Sequence, residues 1–162
     1  MSWATVAFCV LSAAAVALSA IDLKTHTLPR AIIYVAAALG LPFLFTQAWL
    51  DQGWDGIINI VFGAGLALAI MGAIYVGSRG GMGDGDVRLS PLLGAYIGFI
   101  NPGVVPIALF FGFFLGAIVG VAALARKQAT GATAVPFGPF LFAGTLLAVQ
   151  LGQPFVDLLL HR

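Results

Sequence analysis

The sequence contains no glutamate and little charge of either sign. Charged residues make up 8% of the 162 residues, whereas 61% are hydrophobic. No soluble domain of this size needs so much apolar surface, so the composition predicts an integral membrane protein. The net charge of +1 also argues against nucleic acid as a partner, because surfaces that bind nucleic acid are strongly basic.

Cysteine is almost absent as well. The single cysteine, Cys9, excludes an internal disulfide and a zinc site built from several cysteines. We interpret it as a small packing residue. Residues 1–20 contain neither Lys nor Arg, so they lack the basic region of a cleaved signal peptide, and we expect a retained helix there.

Polar breaks divide the chain into six apolar segments. They predict an all-α, polytopic membrane protein with six transmembrane helices, forming a single membrane-embedded domain over residues 1–162. Most segments have the roughly 20 residues that cross about 30 Å of hydrocarbon. The fourth reaches only about 18 Å, so either its polar flanks extend it or the bilayer and the bundle accommodate it. The segments are Trp3–Ile21, Ala31–Leu50, Gly56–Gly77, Leu89–Ile100, Val104–Ala125 and Phe137–Leu160.

Basic residues cluster in alternate loops between these segments. Only Arg162 falls on the other side of the predicted membrane. The excess of Lys and Arg in cytoplasmic loops therefore predicts that these three loops face the cytoplasm and that both termini lie outside. The six clustered residues are Lys24, Arg30, Arg79, Arg88, Arg126 and Lys127.

Two aspartates stand at the ends of apolar segments. Asp22 ends the first segment, in the sequence IDLKTHTLP, and Asp86 follows the third, in GMGDGDVRL. An ionisable group at the edge of a membrane segment is costly and marks a functional site by default. The predicted topology brings both to the cytoplasmic face. Two neighbouring carboxyl groups that share one proton can hydrolyse a peptide bond, so the pair predicts an aspartyl protease.

Glycines accompany the second aspartate and the fifth segment. We expect Gly83 and Gly85 to adopt dihedral angles closed to other residues and to let the backbone approach an extended substrate strand. In the fifth segment, Gly112, Gly116 and Gly120 recur at a spacing of four. This stripe predicts close approach of another helix. Packing within the same chain is favoured over a homodimer.

These motifs, taken in order, resemble those of the type IV prepilin peptidases, which are membrane aspartyl proteases of the GxGD class. In that family an aspartate is followed six residues later by Leu or Ile and then Pro, as Asp22 is here by Leu28 and Pro29. The second aspartate closes G-x-G-D and is followed by a variable residue and a base, here Val87 and Arg88 after Gly83–Asp86. The stretch PFGPFLFAG, residues 136–144, is similar to the start of the family's last helix.

The resemblance implies an aspartic endopeptidase with Asp22 and Asp86 as catalytic residues. It would remove the short basic leader from prepilin or pseudopilin precursors at the cytoplasmic boundary of the cell inner membrane, using no metal or other cofactor. Its partners would be the precursor protein and membrane lipid. Larger family members carry an N-terminal methyltransferase region that this sequence lacks, so we expect the protease activity alone. Apart from the resemblance, we expect four residues beside Asp86 to bind the substrate, namely Gly83, Asp84, Gly85 and Arg88.

The sequence departs from the family pattern at three places. Arg88 replaces the commoner Lys, which keeps the charge. Arg30 stands where the family usually has Asn or Asp. Asp84 occupies the variable position of G-x-G-D, so that residues 81–84 also read G-x-G-D. The following residues Val87 and Arg88 favour Asp86 over Asp84 as the catalytic residue.

Other interpretations use the same aspartates. Asp22 and Asp86 could relay protons or cations in a small transporter, or Asp84 and Asp86 could ligate a divalent cation. A structural subunit of a secretion machine is a third alternative. Relay residues usually lie in the middle of a helix. The position of these aspartates at segment ends, beside glycines, favours the protease.

Overall fold

The computed structural model describes residues 2–79, 81–125 and 136–160 and contains six α-helices and one short 3-10 helix in these ranges. No strand occurs among these residues, which confirms the all-α class. Each helix coincides with one of the six predicted segments to within a few residues. Arg126, Lys127 and Arg162, which entered the topology argument, lie outside the described residues. The helices are α1 (Trp3–Thr25), α2 (Arg30–Gln52), α3 (Trp54–Gly77), α4 (Asp84–Ile100), α5 (Val105–Ala125) and α6 (Gly138–Leu160), with the 3-10 helix at Pro102–Val104.

Among the described residues, four stretches are long and apolar enough to cross a membrane, so the protein is a multi-pass membrane protein. They are α1, α2, α3 and the stretch Pro102–Ala122, which contains most of α5. α6 contributes a shorter apolar stretch, Gly138–Gln150. α4 lies outside the set of four, and the prediction of six spans therefore stays a prediction. The polar residues from Asp84 onward lengthen the fourth segment to 17 residues, or about 25 Å.

The shortest of the six, α4, lies at the centre of the bundle. Helices α2, α3, α5 and α6 all pack against it. The Tyr96 side chain, 1% exposed, donates a hydrogen bond to the Ala7 carbonyl oxygen of α1 at 3.0 Å, which satisfies the buried hydroxyl group. Residues 92–98 are all buried, and this stretch is apolar on all sides, as a helix surrounded by protein must be. The buried residues of α4 are Asp86, Leu89, Ser90, Leu92, Leu93, Gly94, Ala95, Tyr96, Ile97 and Gly98.

Glycines set how closely α3 and α4 approach each other. A Cβ atom added to Gly94 would collide with the Gly63 carbonyl oxygen, and one added to Gly98 would collide with the Asn59 carbonyl oxygen. The two backbones are therefore in direct contact, as small residues allow in membrane proteins. This contact holds α4 firmly against the bundle and fixes where its first turn lies.

Two glycines of the predicted α5 stripe, Gly112 and Gly116, pack against residues of the same chain. A Cβ atom on Gly112 would lie 3.2 Å from a Leu141 methyl group, and one on Gly116 would lie 2.8 Å from the Phe137 ring. Both glycines thus face residues at and just before the start of α6, as favoured by the sequence analysis. The possible homodimer stays a prediction.

Four helix termini meet at one end of the bundle. α1 ends there because His26 adopts a left-handed conformation, with φ of 51°, and its N–H group donates to the Asp22 carbonyl oxygen at 2.8 Å. The Arg30 side chain at the start of α2 reaches Asp84 at the start of α4. Gly138 at the start of α6 reaches Asp22. Both sequence motifs therefore lie at the same end.

Candidate active site

Asp22 lies in the last turn of α1 and is 4% exposed. Its Oδ2 atom accepts a hydrogen bond of 2.9 Å from the backbone N–H group of Gly138, the first residue of α6. The N-terminus of a helix favours a negative charge, because its N–H groups are unpaired and its dipole points there. The bond fixes the orientation of a buried carboxylate and satisfies one of its oxygen atoms.

Gly138 was not recognised as a site residue from the sequence, although it lies in the quoted stretch 136–144. It is separated from Asp22 by 116 positions, so no local spacing links the two. A Cβ atom at this position would lie 3.0 Å from Asp22 Oδ2 and 3.1 Å from a Leu28 methyl group. Glycine therefore allows the start of α6 to come close enough for the hydrogen bond.

Asp86 lies in the first turn of α4 and is 8% exposed. The prediction that Gly83 and Gly85 adopt dihedral angles closed to other residues is wrong. Gly83 has φ of −66° and ψ of 135°, which other residues also adopt, and Gly85 lies within the helix. The physical reason for glycine at position 85 is proximity: a Cβ atom there would lie 2.8 Å from the Leu28 Cβ atom. Gly85 thus lets α4 pack directly against the loop that follows α1.

A cleft of about 140 Å³ joins the two motifs at this end of the bundle. Its volume is several times the roughly 30 Å³ that one water molecule occupies in the liquid. His26, Thr27 and Leu28 belong to it although no role was assigned to them from the sequence. Their position within the first motif was the only signal that could have suggested one. The lining residues are Asp22, His26, Thr27, Leu28, Gly83, Asp84, Gly85 and Asp86.

Asp84 stands at the rim of the cleft with its side chain 51% exposed. Its Oδ2 atom lies 2.9 Å from an Arg88 nitrogen and 3.3 Å from an Arg30 nitrogen. Two guanidinium groups therefore balance its charge, whereas Asp22 and Asp86 are buried. Two of the departures from the family pattern, Arg30 and Asp84, contact each other. This pairing could not be seen in the sequence, because the residues are 54 positions apart.

The surroundings of Asp86 change its proton affinity. Burial, and then the nearby negative charges of Asp22 and Asp84, raise the pKa of Asp86 from 3.8 to about 7. Asp86 is outside the four stretches able to span a membrane, at an end of the bundle where the cleft opens. One carboxyl group that keeps its proton near neutral pH, beside a second carboxyl group, is the arrangement that acid–base hydrolysis requires.

The described residues offer few ligands for a metal ion. Within residues 2–79, 81–125 and 136–160, no three His, Cys, Asp or Glu side chains converge as metal ligands do. The expectation that the reaction needs no metal stays a prediction.

Comparison with known proteins identifies the family. The model of the Type IV leader peptidase family matches residues 9–121, a range that contains both aspartate motifs. This chain belongs to the Type IV leader peptidase family. Gly138, which orients Asp22, lies beyond the matched range.

Individual relatives agree with this assignment. The chain is 34% identical over 142 residues to a prepilin leader peptidase/N-methyltransferase of Pseudomonas putida, an alignment that covers 85% of this chain and 46% of the relative. It is 31% identical over 120 residues to the protein of the same name from Bacillus subtilis, covering 72% of this chain and 46% of that one. The chain thus spans about half the length of the relatives it matches. No solved structure matches it significantly.

Proposed function

We propose that this family member is an aspartic endopeptidase that removes the leader from prepilin or pseudopilin precursors, with Asp22 and Asp86 as its catalytic residues. The observation that carries the proposal is the burial of these two carboxyl groups in one cleft at one end of the bundle. The names of the relatives, prepilin leader peptidase/N-methyltransferase, support the substrate class.

The surroundings of the two aspartates suggest different roles for them. Asp86 holds the proton near neutral pH because burial raises its pKa to about 7. Asp22 acts as the ionised partner, since its carboxylate accepts the Gly138 N–H hydrogen bond at the N-terminus of α6. This division follows the rule that neighbouring carboxyl groups do not ionise together easily.

The reaction then proceeds in two balanced steps. In the first, the Asp22 carboxylate takes a proton from water, the water oxygen bonds to the scissile carbonyl carbon, and Asp86 gives its proton to the carbonyl oxygen. In the second, the tetrahedral intermediate returns a hydroxyl proton to Asp86, the C–N bond breaks, and Asp22 gives its proton to the leaving nitrogen. Both carboxyl groups return to their starting states.

The size of the cleft supports a substrate that is unwound at the cut. One helical turn, about 10 Å wide and 5.4 Å long, occupies on the order of 400 Å³, whereas the cleft holds about 140 Å³. The scissile bond must therefore enter as extended chain, and a glycine before the cut lowers the cost of unwinding. Arg30 and Arg88 balance the charge of Asp84, so we assign Asp84 only a minor part in attracting a basic leader.

The remaining proposals concern the position in the cell. The basic residues Lys24, Arg30 and Arg88 lie around the same end of the bundle as the cleft, which supports a cytoplasmic active site by the positive-inside bias. We therefore propose a bacterial inner-membrane location with six spans and cleavage at the cytoplasmic boundary of the substrate helix. The transporter alternative is not favoured, because Asp22 and Asp86 lie at helix ends and the chain belongs to a leader peptidase family.

The proposal is tested by cleavage of prepilin and pseudopilin precursors, both in cells that express this chain and with purified protein in detergent. Asp22→Asn and Asp86→Asn should each lower the cleavage rate by about 100-fold or more, because each removes one proton-transferring partner. Asp84→Asn should keep substantial activity. Mass spectrometry of the products should locate the cut after the glycine that ends the leader.

The matched control is Asp55→Asn, which alters an exposed aspartate in the first turn of α3 and should leave cleavage unchanged. All variants should be compared at equal amounts of inserted protein. If Asp84→Asn is inactive and Asp86→Asn is active, the assignment within the doubled motif is wrong. If neither Asp22→Asn nor Asp86→Asn lowers the rate, the aspartic mechanism is wrong.

A further inference from the structure

A second cavity, unconnected with the catalytic chemistry, runs between α2 and α3 with α4 as its floor. This α2–α3 groove holds about 270 Å³. Its walls are almost entirely apolar and include Leu41 and Phe45 of α2, Val61 and Ala64 of α3, and Pro91 of α4. Small residues at the floor and walls leave this space unfilled.

The groove opens sideways from the bundle. At its rim, Tyr34 is 60% exposed and Val61 is 58% exposed. Both belong to helices long and apolar enough to cross a membrane. The lining of α2 extends from Ile33 to Phe45, a length of about 18 Å along the helix axis. The α2–α3 groove is therefore long, narrow and apolar, and it faces the lipid.

One end of this groove carries a positive charge. Arg88, in the second turn of α4, is among its lining residues. One guanidinium nitrogen, Nη2, lies 2.9 Å from Asp84 Oδ2. The other, Nη1, has no hydrogen-bond partner among the described residues, although the side chain as a whole is 31% exposed. A buried, charged donor without an acceptor is unfavourable, and such groups in native proteins normally have a partner.

We propose that the α2–α3 groove binds one anionic phospholipid, with its phosphate group on the Arg88 guanidinium group and an acyl chain along the groove. The Arg88 side chain is 31% exposed and lines the groove, and guanidinium groups bind phosphate oxygens well. The acyl chain covers the apolar walls of the groove, which extend away from Arg88. Arg88 keeps its Asp84 contact through Nη2, so the lipid headgroup lies one side chain away from the rim of the catalytic cleft.

The dimensions favour lipid over a protein helix. Ten residues of helix about 10 Å wide occupy on the order of 1,000 Å³, several times the 270 Å³ available. A single extended acyl chain is much narrower than a helix and can lie along the open groove, whose α2 lining is about 18 Å long. The charge at one end selects a headgroup, whereas an uncharged apolar groove would not distinguish one lipid from another.

Native mass spectrometry of the purified chain in detergent tests the proposal, using dioleoyl phosphatidylglycerol and dioleoyl phosphatidylcholine as probes. We expect one phosphatidylglycerol to bind at least about tenfold more tightly than phosphatidylcholine. Arg88→Gln should remove this preference, since it removes a charge-assisted hydrogen bond. Ala64→Phe should abolish tight binding by filling the groove while leaving Arg88 in place.

Arg30→Gln is the matched control, because Arg30 also pairs with Asp84 but does not line the groove. It should leave lipid binding unchanged. If Arg88→Gln does not fold, as judged by thermal unfolding, Ala64→Phe decides the question. Binding is measured without substrate, so the result is independent of the proposed peptidase function.

Several results would overturn the proposal. Equal binding of the two lipids would mean that Arg88 does not select a headgroup. If Arg30→Gln and Arg88→Gln lowered the affinity for phosphatidylglycerol equally, the lipid would be attracted by the surface charge in general and not by a site at Arg88. Competition by inorganic phosphate, with no effect of Ala64→Phe, would indicate a phosphate site without a lipid tail. Displacement of the lipid by a precursor peptide would assign the groove to the substrate.

Discussion

Replacing Asp86 by asparagine should stabilise the protein, and the gain should grow as the pH rises. Asparagine has nearly the same shape but cannot ionise. In the wild-type protein, burial and the nearby Asp22 and Asp84 raise the pKa of Asp86 from 3.8 to about 7. The folded state therefore binds this proton more tightly than the unfolded chain does.

The sign of the effect follows from this difference in proton binding. Below about pH 4, Asp86 is protonated in both the folded and the unfolded state, so its shifted pKa does not lower the free energy of unfolding. Between about pH 4 and 7 only the unfolded chain releases the proton, so the free energy of unfolding falls as the pH rises. Above about pH 7 both states have released the proton, and the free energy of unfolding falls no further on this account. A displacement of roughly three pH units corresponds to about 4 kcal/mol, because one unit is worth about 1.4 kcal/mol.

Thermal unfolding in detergent, followed by tryptophan fluorescence between about pH 4.5 and 8.5, measures the prediction. The quantity to follow is the stability of Asp86→Asn minus that of the wild type at each pH, because effects of the substitution that do not depend on pH cancel in its slope. This difference should rise with pH toward about 4 kcal/mol. Asp55→Asn, at an exposed site, should give a difference that stays flat.

The same proton should control activity. Cleavage by the wild type requires protonated Asp86, so kcat/KM should fall as the pH rises above about 7. A stability difference that is flat with pH, or that declines at high pH, would refute the raised pKa. Cleavage that increases steadily from about pH 7 to 9 would refute the assignment of Asp86 as the acid.

Two further predictions concern topology and cofactors. Reporter fusions at Gln128 and at the C-terminus should report opposite sides of the membrane, because six of the seven basic residues fall in three alternate loops. The same side at both positions would contradict the predicted topology. Purified protein should still cut a precursor peptide in the presence of EDTA, whereas activity that is lost with EDTA and restored by a divalent cation would instead indicate metal chemistry at Asp84 and Asp86.

The extent of the helices was largely predictable from the sequence. The runs of apolar residues are separated by polar breaks such as Asn101–Gly103, and each run became one helix. The local reason is strong: a long apolar segment must satisfy its backbone hydrogen bonds internally in a membrane, and a helix does so. The ends of the helices were predicted less accurately than their centres. α1 continues past Asp22 to Thr25 and α4 starts at Asp84, because capping and contacts with neighbouring elements decide where a helix stops.

The candidate site was partly predictable. The spacing of Asp22 with Leu28 and Pro29, together with the glycines around Asp86, marked both aspartates as unusual in a chain with so few charges. The reason for glycine at position 85 was misjudged. Sequence reasoning assigned it to backbone dihedral angles, whereas the contact with Leu28 requires a residue without a side chain. That contact joins two segments distant in the chain, and periodicity carries no information about it.

The class of the protein, the order of its helices and the two aspartate motifs could be read from the amino-acid sequence, because these depend on composition and on patterns within about 20 residues. Which residues contact each other became clear from the three-dimensional structure. It placed the shortest helix at the centre, brought the Gly138 N–H group to Asp22, and paired Arg30 with Asp84 while Asp86 became buried. These contacts depend on close packing between helices far apart in the chain, and burial by such packing is what raises the pKa of Asp86.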